Sequence, residues 1–334
     1  MAAYTTIDNP ELYFQCKLYT GTGSEIAATL DGDENMQPDL VWIKARTDAE
    51  SHKLYDSVRG VTKHIESDTT DAEATEAQGL KSFDSDGFTI GTYSSINASS
   101  SHTYVAWCWK ESATAGFDIV AYTGSGSAHT ISHSLSAVPS VVILKGRSFG
   151  DGWGQYHKTS GNPAILAFDG DVADRYSSKW GPFFNSTAPT SSVFSVGTDT
   201  AINTSSGTHI AYLFAEKQGF SKFGSYKGNG NADGPFVYTG FRPAMVIIRN
   251  SSATGNWEIF DTKRSTYNLM HATLYADTTG AEYTGTGNQI DVLSNGFKVR
   301  NEDTNTNDNG ETTVFMAFAE APFVNSNGVP CNAR

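Results

Sequence analysis

The strongest pattern in the chain is an alternation that occurs three times. Val105, Trp107 and Trp109 are bulky and apolar, and the intervening Ala106 and Cys108 are small and apolar. The pattern returns as Ile210, Tyr212 and Phe214 around Ala211 and Leu213, and as Val314, Met316 and Phe318 around Phe315 and Ala317. Strand side chains point to opposite faces with a period of two. Each segment therefore predicts a strand that is apolar on both faces, central in its sheet and covered by a layer on each side.

Four other signatures precede these strands in the same order each time. Tyr19-Thr-Gly21-Thr-Gly23, Tyr122-Thr-Gly124-Ser-Gly126 and Tyr226-Lys-Gly228-Asn-Gly230 open the repeats. Pro38 to Lys44, Pro139 to Lys145 and Pro243 to Arg249 follow, each a proline leading an apolar run that closes on a cation. Proline suits the first residue of a strand, where no ladder N–H is needed. An aromatic run comes next (Leu54-Tyr55-Asp56, Gln155-Tyr156-His157, Ile259-Phe260-Asp261), then Phe88, Phe194 and Phe297. Such ordered self-similarity marks an internal repeat.

The expected fold is all-β: three tandem homologous β-sandwich-like modules of about 105 residues each, long enough to bury a core. The alternative is one pseudo-threefold all-β body in which the modules share a core. The expected boundaries are 1–15 for an N-terminal assembly segment, 16–115, 116–218 and 219–324 for the modules, and 325–334 for a tail. Asp71 to Gln78 is the one stretch that predicts a turn or two of helix. Residues 1–15 hold Ile7, Leu12, Tyr13 and Phe14 but belong to no repeat. So apolar a segment is expected to dock, on module one, a sister subunit or another protein.

The formal charge of −13 repels polyanions, which argues against nucleic-acid binding. No run reaches the roughly 18 apolar residues of a membrane span, and the start lacks the basic and apolar regions of a signal peptide. Cys16, Cys108 and Cys331 are odd in number and far apart, which predicts free thiols, with Cys108 a small core residue.

Candidate sites are few. The Gly-x-Gly turns lack the third glycine and following helix of a dinucleotide fingerprint. Acidic loops at Asp31 to Asn35, Asp84 to Asp86, Asp169 to Asp171 and Asp303 to Glu311 carry the oxygens that calcium prefers, but none has EF-hand spacing, so they read as solvated loops with no metal. His52, Trp153 and Trp257 are equivalent loop-edge positions whose rings suit a glycan or partner contact, or the covering of a core end. Lys44, Lys145 and Arg249 are expected to pair with Glu111, Glu216 and Glu320. No Gly-x-Ser-x-Gly elbow is present, and among the many carboxylates no pair stands out. The chain reads as a non-enzyme without cofactors.

Several of these runs carry a resemblance. Tyr4 to Gln15, Pro38 to Lys44, Ser51 to Gly60, Ser85 to Gly91 and Tyr104 to Lys110 resemble a domain common in marine bacteriophage virion proteins, most strongly over residues 1–111. The second and third modules look like diverged copies, with His157 and Lys158 where the first has Asp56 and Ser57. The resemblance implies a virion protein made in the host cytoplasm: a tail fibre or receptor-binding protein, or else a capsid decoration or head fibre. It implies contacts with other virion proteins and a host cell-surface glycan or protein, and a homo-oligomer, a trimer favoured. An adhesin module that binds carbohydrate is the reading outside that class. The resemblance brings no catalytic residues.

Overall fold

The computed structural model describes residues 4–99, 101–159, 166–169 and 183–332. The chain is all-β, built from antiparallel sheets in which one strand order recurs. In the first unit the opening strand Phe14–Thr20 pairs with the closing strand Thr103–Trp109. The closing strand pairs in turn with the proline-led strand Leu40–Ala45, and that with the aromatic strand Lys53–Asp56. The second unit repeats the order with Phe117–Thr123, Thr208–Phe214, Val141–Gly146 and Gly154–His157, and adds Leu166–Ala167. The third repeats it with Ser221–Lys227, Thr312–Pro322, Phe241–Asn250, Glu258–Asp261 and Leu274–Tyr275. Each unit also has a smaller sheet, in which Ile26–Ala28, His129–Ser132 or Phe236–Tyr238 pairs with the strand holding Phe88, Phe194 or Phe297.

The closing strands are central, as their double-sided apolar pattern requires, but their two faces meet different partners. Ala106 and Cys108 face the first unit's own smaller sheet with Phe88 and Ile90; Ala211 and Leu213 do the same beside Phe194. The bulky faces turn inward to a core that takes side chains from all three units. Trp109, Phe214 and Phe318 hold the same place in their units, and their ring centroids lie 6.4, 5.5 and 5.6 Å apart. Three equivalent residues can touch one another only around a common axis. The units therefore close around a shared core, as one body, rather than standing in a row.

Further along the axis lie Trp42, Ile143 and Ile247, equivalent through their pairing with Trp107, Tyr212 and Met316. They border an apolar void of about 20 Å³, room for about one water but without polar groups to hold it. The far end is capped by Phe168, whose ring is 5.8, 5.8 and 5.3 Å from those of Trp42, Trp153 and Trp257. The bridge pairings of Ile65, Leu166 and Leu274 make Ser67 and Ala276 the counterparts of Phe168. One large and two small side chains fill a spot on the axis where three large ones would collide, so threefold likeness must fail there.

The Gly-x-Gly turns are structural. A Cβ on Gly21, Gly124 or Gly228 would come within 2.1, 2.3 or 2.2 Å of the carbonyl oxygen of Ala98, Thr204 or Asp308. Gly23, Gly126 and Gly230 have φ of +69°, +72° and +62°, where a side chain is strained. Each turn is clamped by a buried asparagine ending a one-turn helix (Ser94–Asn97, Thr200–Asn203, Thr304–Asn307). Asn97, Asn203 and Asn307 each accept at 2.8 Å from the residue between the glycines and donate to two backbone carbonyls. The signature tyrosines donate to the residue before the asparagine.

Two expectations need correcting. Asp71 to Gln78 is not helical; it contains the short strand Ala74–Thr75, because Glu73 is held by backbone and side-chain bonds to Arg147 of the second unit. The N-terminal segment does not dock on the first unit alone: Thr5 Oγ1 donates to Gln218 O at 2.7 Å, Tyr4 Oη donates to Gly240 O at 2.8 Å, and Ser326 N donates to Asp8. The two ends of the chain thus meet on the third unit.

Candidate functional site

Equivalent buried polar contacts recur on the seams between units. Trp153 Nε1–H donates to Glu66 O at 3.0 Å, in the first unit, and Trp257 Nε1–H donates to Ala167 O at 2.9 Å, in the second. His52 completes the cycle with Nε2 2.9 Å from Tyr275 O, in the third. Its Nδ1 accepts from Trp42 Nε1–H at 2.8 Å, which assigns the proton to Nε2. Burial, and next the Lys44 charge, push the His52 pKa well down, so the neutral ring copies an indole N–H. Glu66, Ala167 and Tyr275 follow Ile65, Leu166 and Leu274, so the three carbonyls are equivalent too.

Of the two readings of these rings, the outside glycan or partner contact is corrected. His52, Trp153 and Trp257 are 0, 3 and 0 % exposed. Their loop edges fold inward because the neighbouring unit supplies the other half of the contact. The second alternative of the sequence reading, covering a core end, describes them.

Behind each ring sit a cation and a carboxylate. Asp68 and Asp277 accept from the backbone N–H of His52 and Trp257 at 2.9 and 3.1 Å, and Asp169 accepts that of Trp153. Lys44 and Lys145 are fully buried, and burial lowers both to about 8. Arg249 lies 5.2 Å over the Trp257 ring. The cations do not reach Glu111, Glu216 or Glu320. In the ladder Lys44 faces Val105 while Leu40 faces Trp109, so cation and glutamate stand at opposite ends of the sheet. Glu216 pairs instead with Lys158 and Lys222, and Glu320 with Arg242.

Charged staples also cross the seams. Arg46 binds Glu282 through two hydrogen bonds of 2.9 and 2.8 Å, and Arg147 binds Glu73 in the same way. Asp56 is paired with Arg59 and accepts from Tyr212 Oη at 2.7 Å; Asp261 is paired with Arg264 and accepts from Trp107 Nε1–H at 3.0 Å. In the second unit His157 takes the aspartate's place, with Nε2 3.2 Å from Phe315 O. All of these bind the chain to itself.

The model of one family, a domain of unknown function designated DUF7483, matches residues 9–322. The chain belongs to the DUF7483 family. No curated protein matches it. The DUF7483 match runs from Asn9, which caps the first 3-10 turn, to Pro322, the last residue of the final closing strand. It thus spans all three units together.

The DUF7483 fold does select one carboxyl pair. Glu111 and Asp118 are hydrogen-bonded at the junction of the first two units, and Asp39 Oδ2 accepts from Glu111 N–H at 2.8 Å. Lys222 stands at the position of Asp118 in the third unit. Burial, then the bond with Asp118, push Glu111 up to about 7. Burial would raise Asp118 as well, but the bonds from Glu111 and Ser134 hold it below the carboxylate range. The folded chain therefore keeps a proton that the unfolded chain releases near its ordinary pKa of about 4.3, so stability should fall as pH rises from there to about 7. Glu111→Gln, which keeps a donor toward Asp118, should flatten that dependence. Melting midpoints at pH 5 and pH 8 that differ equally in both proteins would refute the assignment.

The acidic loops serve the scaffold. Asp31 pairs with Lys17, and Asp84 accepts from Ser82 and Thr89. Asp303 caps the helix Thr304–Asn307, so a helical turn lies where a plain loop was expected. Asp171 falls outside the described residues. All three cysteines are free, with Cys16 and Cys108 buried. What reading the sequence missed is the set of partners: the clamping asparagines, the Asp68, Asp169 and Asp277 series, and the arginine staples. Asn97 and Asn203, each after an isoleucine at the repeat interval, were the available signal.

Proposed function

We propose that the chain is a structural protein of a bacteriophage virion surface, most simply a tail fibre or receptor-binding protein that engages the host cell. The observation that carries this reading is the resemblance of residues 1–111 to marine phage virion proteins. A closed β-body whose recurrent buried polar groups are spent on its own seams supports it, since such a scaffold leaves its loops to vary and bind. Capsid decoration or a head fibre is the alternative within the class, since no long heptad stalk is present in this sequence to favour a long fibre. A carbohydrate-binding adhesin is the reading outside it. The threefold arrangement that a trimer would supply is already present in one chain.

The proposal assigns no catalytic role. The test is immunogold labelling of purified virions with antibody to the chain, alongside competition of adsorption by the purified protein. Label at the tail and blocked adsorption are expected. Label on the capsid selects decoration. A chain absent from virions, or one that turns over host polysaccharide through a carboxylate, overturns the proposal.

A further inference from the structure

The three units act as controls for one another, and one pair of residues breaks the pattern on the outside. Val237, Ile131 and Ala28 are equivalent, facing Phe297, Phe194 and Phe88 across the smaller sheets. Their flanking residues point outward. In the first unit these are Ala27 and Thr29, in the second Thr130 and Ser132, and in the third Phe236 and Tyr238. Phe236 is 46 % and Tyr238 53 % exposed. Two units fold with small residues here, so the scaffold does not need aromatic ones. Apolar rings held in water without a packing role mark a contact surface.

Tyr238 also forms the wall of a recess of about 310 Å³, together with Tyr4, Glu216, Gln218 and Lys222. That is the lower edge of the ~300–1,000 Å³ range of ligand pockets. Tyr4 Oη donates to Gly240 O, so in its 3.2 Å contact with Tyr238 the hydroxyl of Tyr238 is the donor. The two phenols are thereby fixed in place before any ligand arrives, which reduces the ordering cost of binding. Opposite them Glu216 and Lys222 form a 2.6 Å ion pair, a donor and an acceptor side by side.

We infer that this recess is a saccharide site: a pyranose ring lies with its C–H face on Tyr238 and its hydroxyls toward Glu216, Lys222 and Gln218. An aromatic face beside paired polar groups matches a molecule that is apolar on its ring faces and hydroxylated on its rim. A purely apolar partner would leave the ion pair buried without water, which is costly. The inference rests on the proposed host-surface role and gives that role a location.

The experiment titrates the full chain with glucose, galactose, mannose and N-acetylglucosamine, and with the same sugars as immobilised oligosaccharides. Binding is read by chemical-shift change and by surface retention. Tyr238→Ser and Phe236→Thr install the residues of the second unit, so folding should be kept and is checked by the melting midpoint. At least a tenfold loss of sugar affinity is expected for Tyr238→Ser, with a smaller loss for Tyr238→Phe, which keeps the ring face and loses only the bond to Tyr4. No binding by any sugar, or binding untouched by Tyr238→Ser, overturns the inference. So does self-association of the chain that Tyr238→Ser abolishes, which would make the patch an interface between copies. If Tyr238→Ser still blocks phage adsorption as the parent does, the saccharide site fails while the host-surface role stands.

Discussion

Trp107→Ala is expected to cost about 3–5 kcal/mol and to bring down all three units in one transition. Trp107 has no exposed surface, and removal of a large buried ring typically costs that much. Its position adds further losses. The indole N–H is a donor to Asp261 of the third unit, and the Arg264 guanidinium lies 5.6 Å over its ring. Its edge meets Trp42 with centroids 5.6 Å apart. Truncation therefore opens the shared core and loosens a seam at once. Had each module closed its own core, only the first would unfold. Because the bulky faces of all three closing strands meet on one axis, urea unfolding followed by fluorescence and by circular dichroism should stay coincident. Trp107→Phe keeps a ring in the core and loses mainly the bond to Asp261, for which about 1–2 kcal/mol is expected. A loss below about 1 kcal/mol for the alanine variant, or two separated transitions, would contradict the shared core.

Val105, Trp107 and Trp109 announced a strand covered on both sides, since a period of two says which side chains share a face. It does not say what covers them. Two sheets of one module, or three sheets of three modules, bury the same pattern equally well. The rings at 52, 153 and 257 show the same limit. A tryptophan beside a glycine-rich turn was visible as a recurrent position, but its acceptor is a carbonyl about ninety residues away or more, and a carbonyl carries no sequence signal. Lys44 misled for a related reason. Nearness to the strand end suggested a partner at the next strand's end, whereas the antiparallel register sends Glu111 to the opposite edge. Phe168 could not be foreseen at all, because its size matters only on an axis that the sequence does not display.

Removal of residues 1–10 should destabilise the chain by about 2–4 kcal/mol and expose the third unit. Ile7 is 3 % exposed, and burial of such a side chain is worth about 1.5–3 kcal/mol. Thr5, Tyr4 and Asp8 add bonds to Gln218, Gly240 and Ser326, at roughly 1 kcal/mol for each that water does not replace. The bond to Gln218 lies just before the strand Ser221–Lys227 and the bond to Gly240 just before Phe241–Asn250, so the segment ties the chain's beginning to the third unit. A linear chain of three units has one seam that no linker crosses, between the first and the third, and this strap lies on it. Proteolysis of the shortened chain should therefore begin in the third unit, and its melting midpoint should drop. If the midpoint is unchanged and the shortened chain instead fails to join the virion, the segment's contacts are made outside the chain, and closure of the first and third units rests on the shared core and on seam contacts such as Trp107–Asp261, His52–Tyr275 and the Arg46–Glu282 staple.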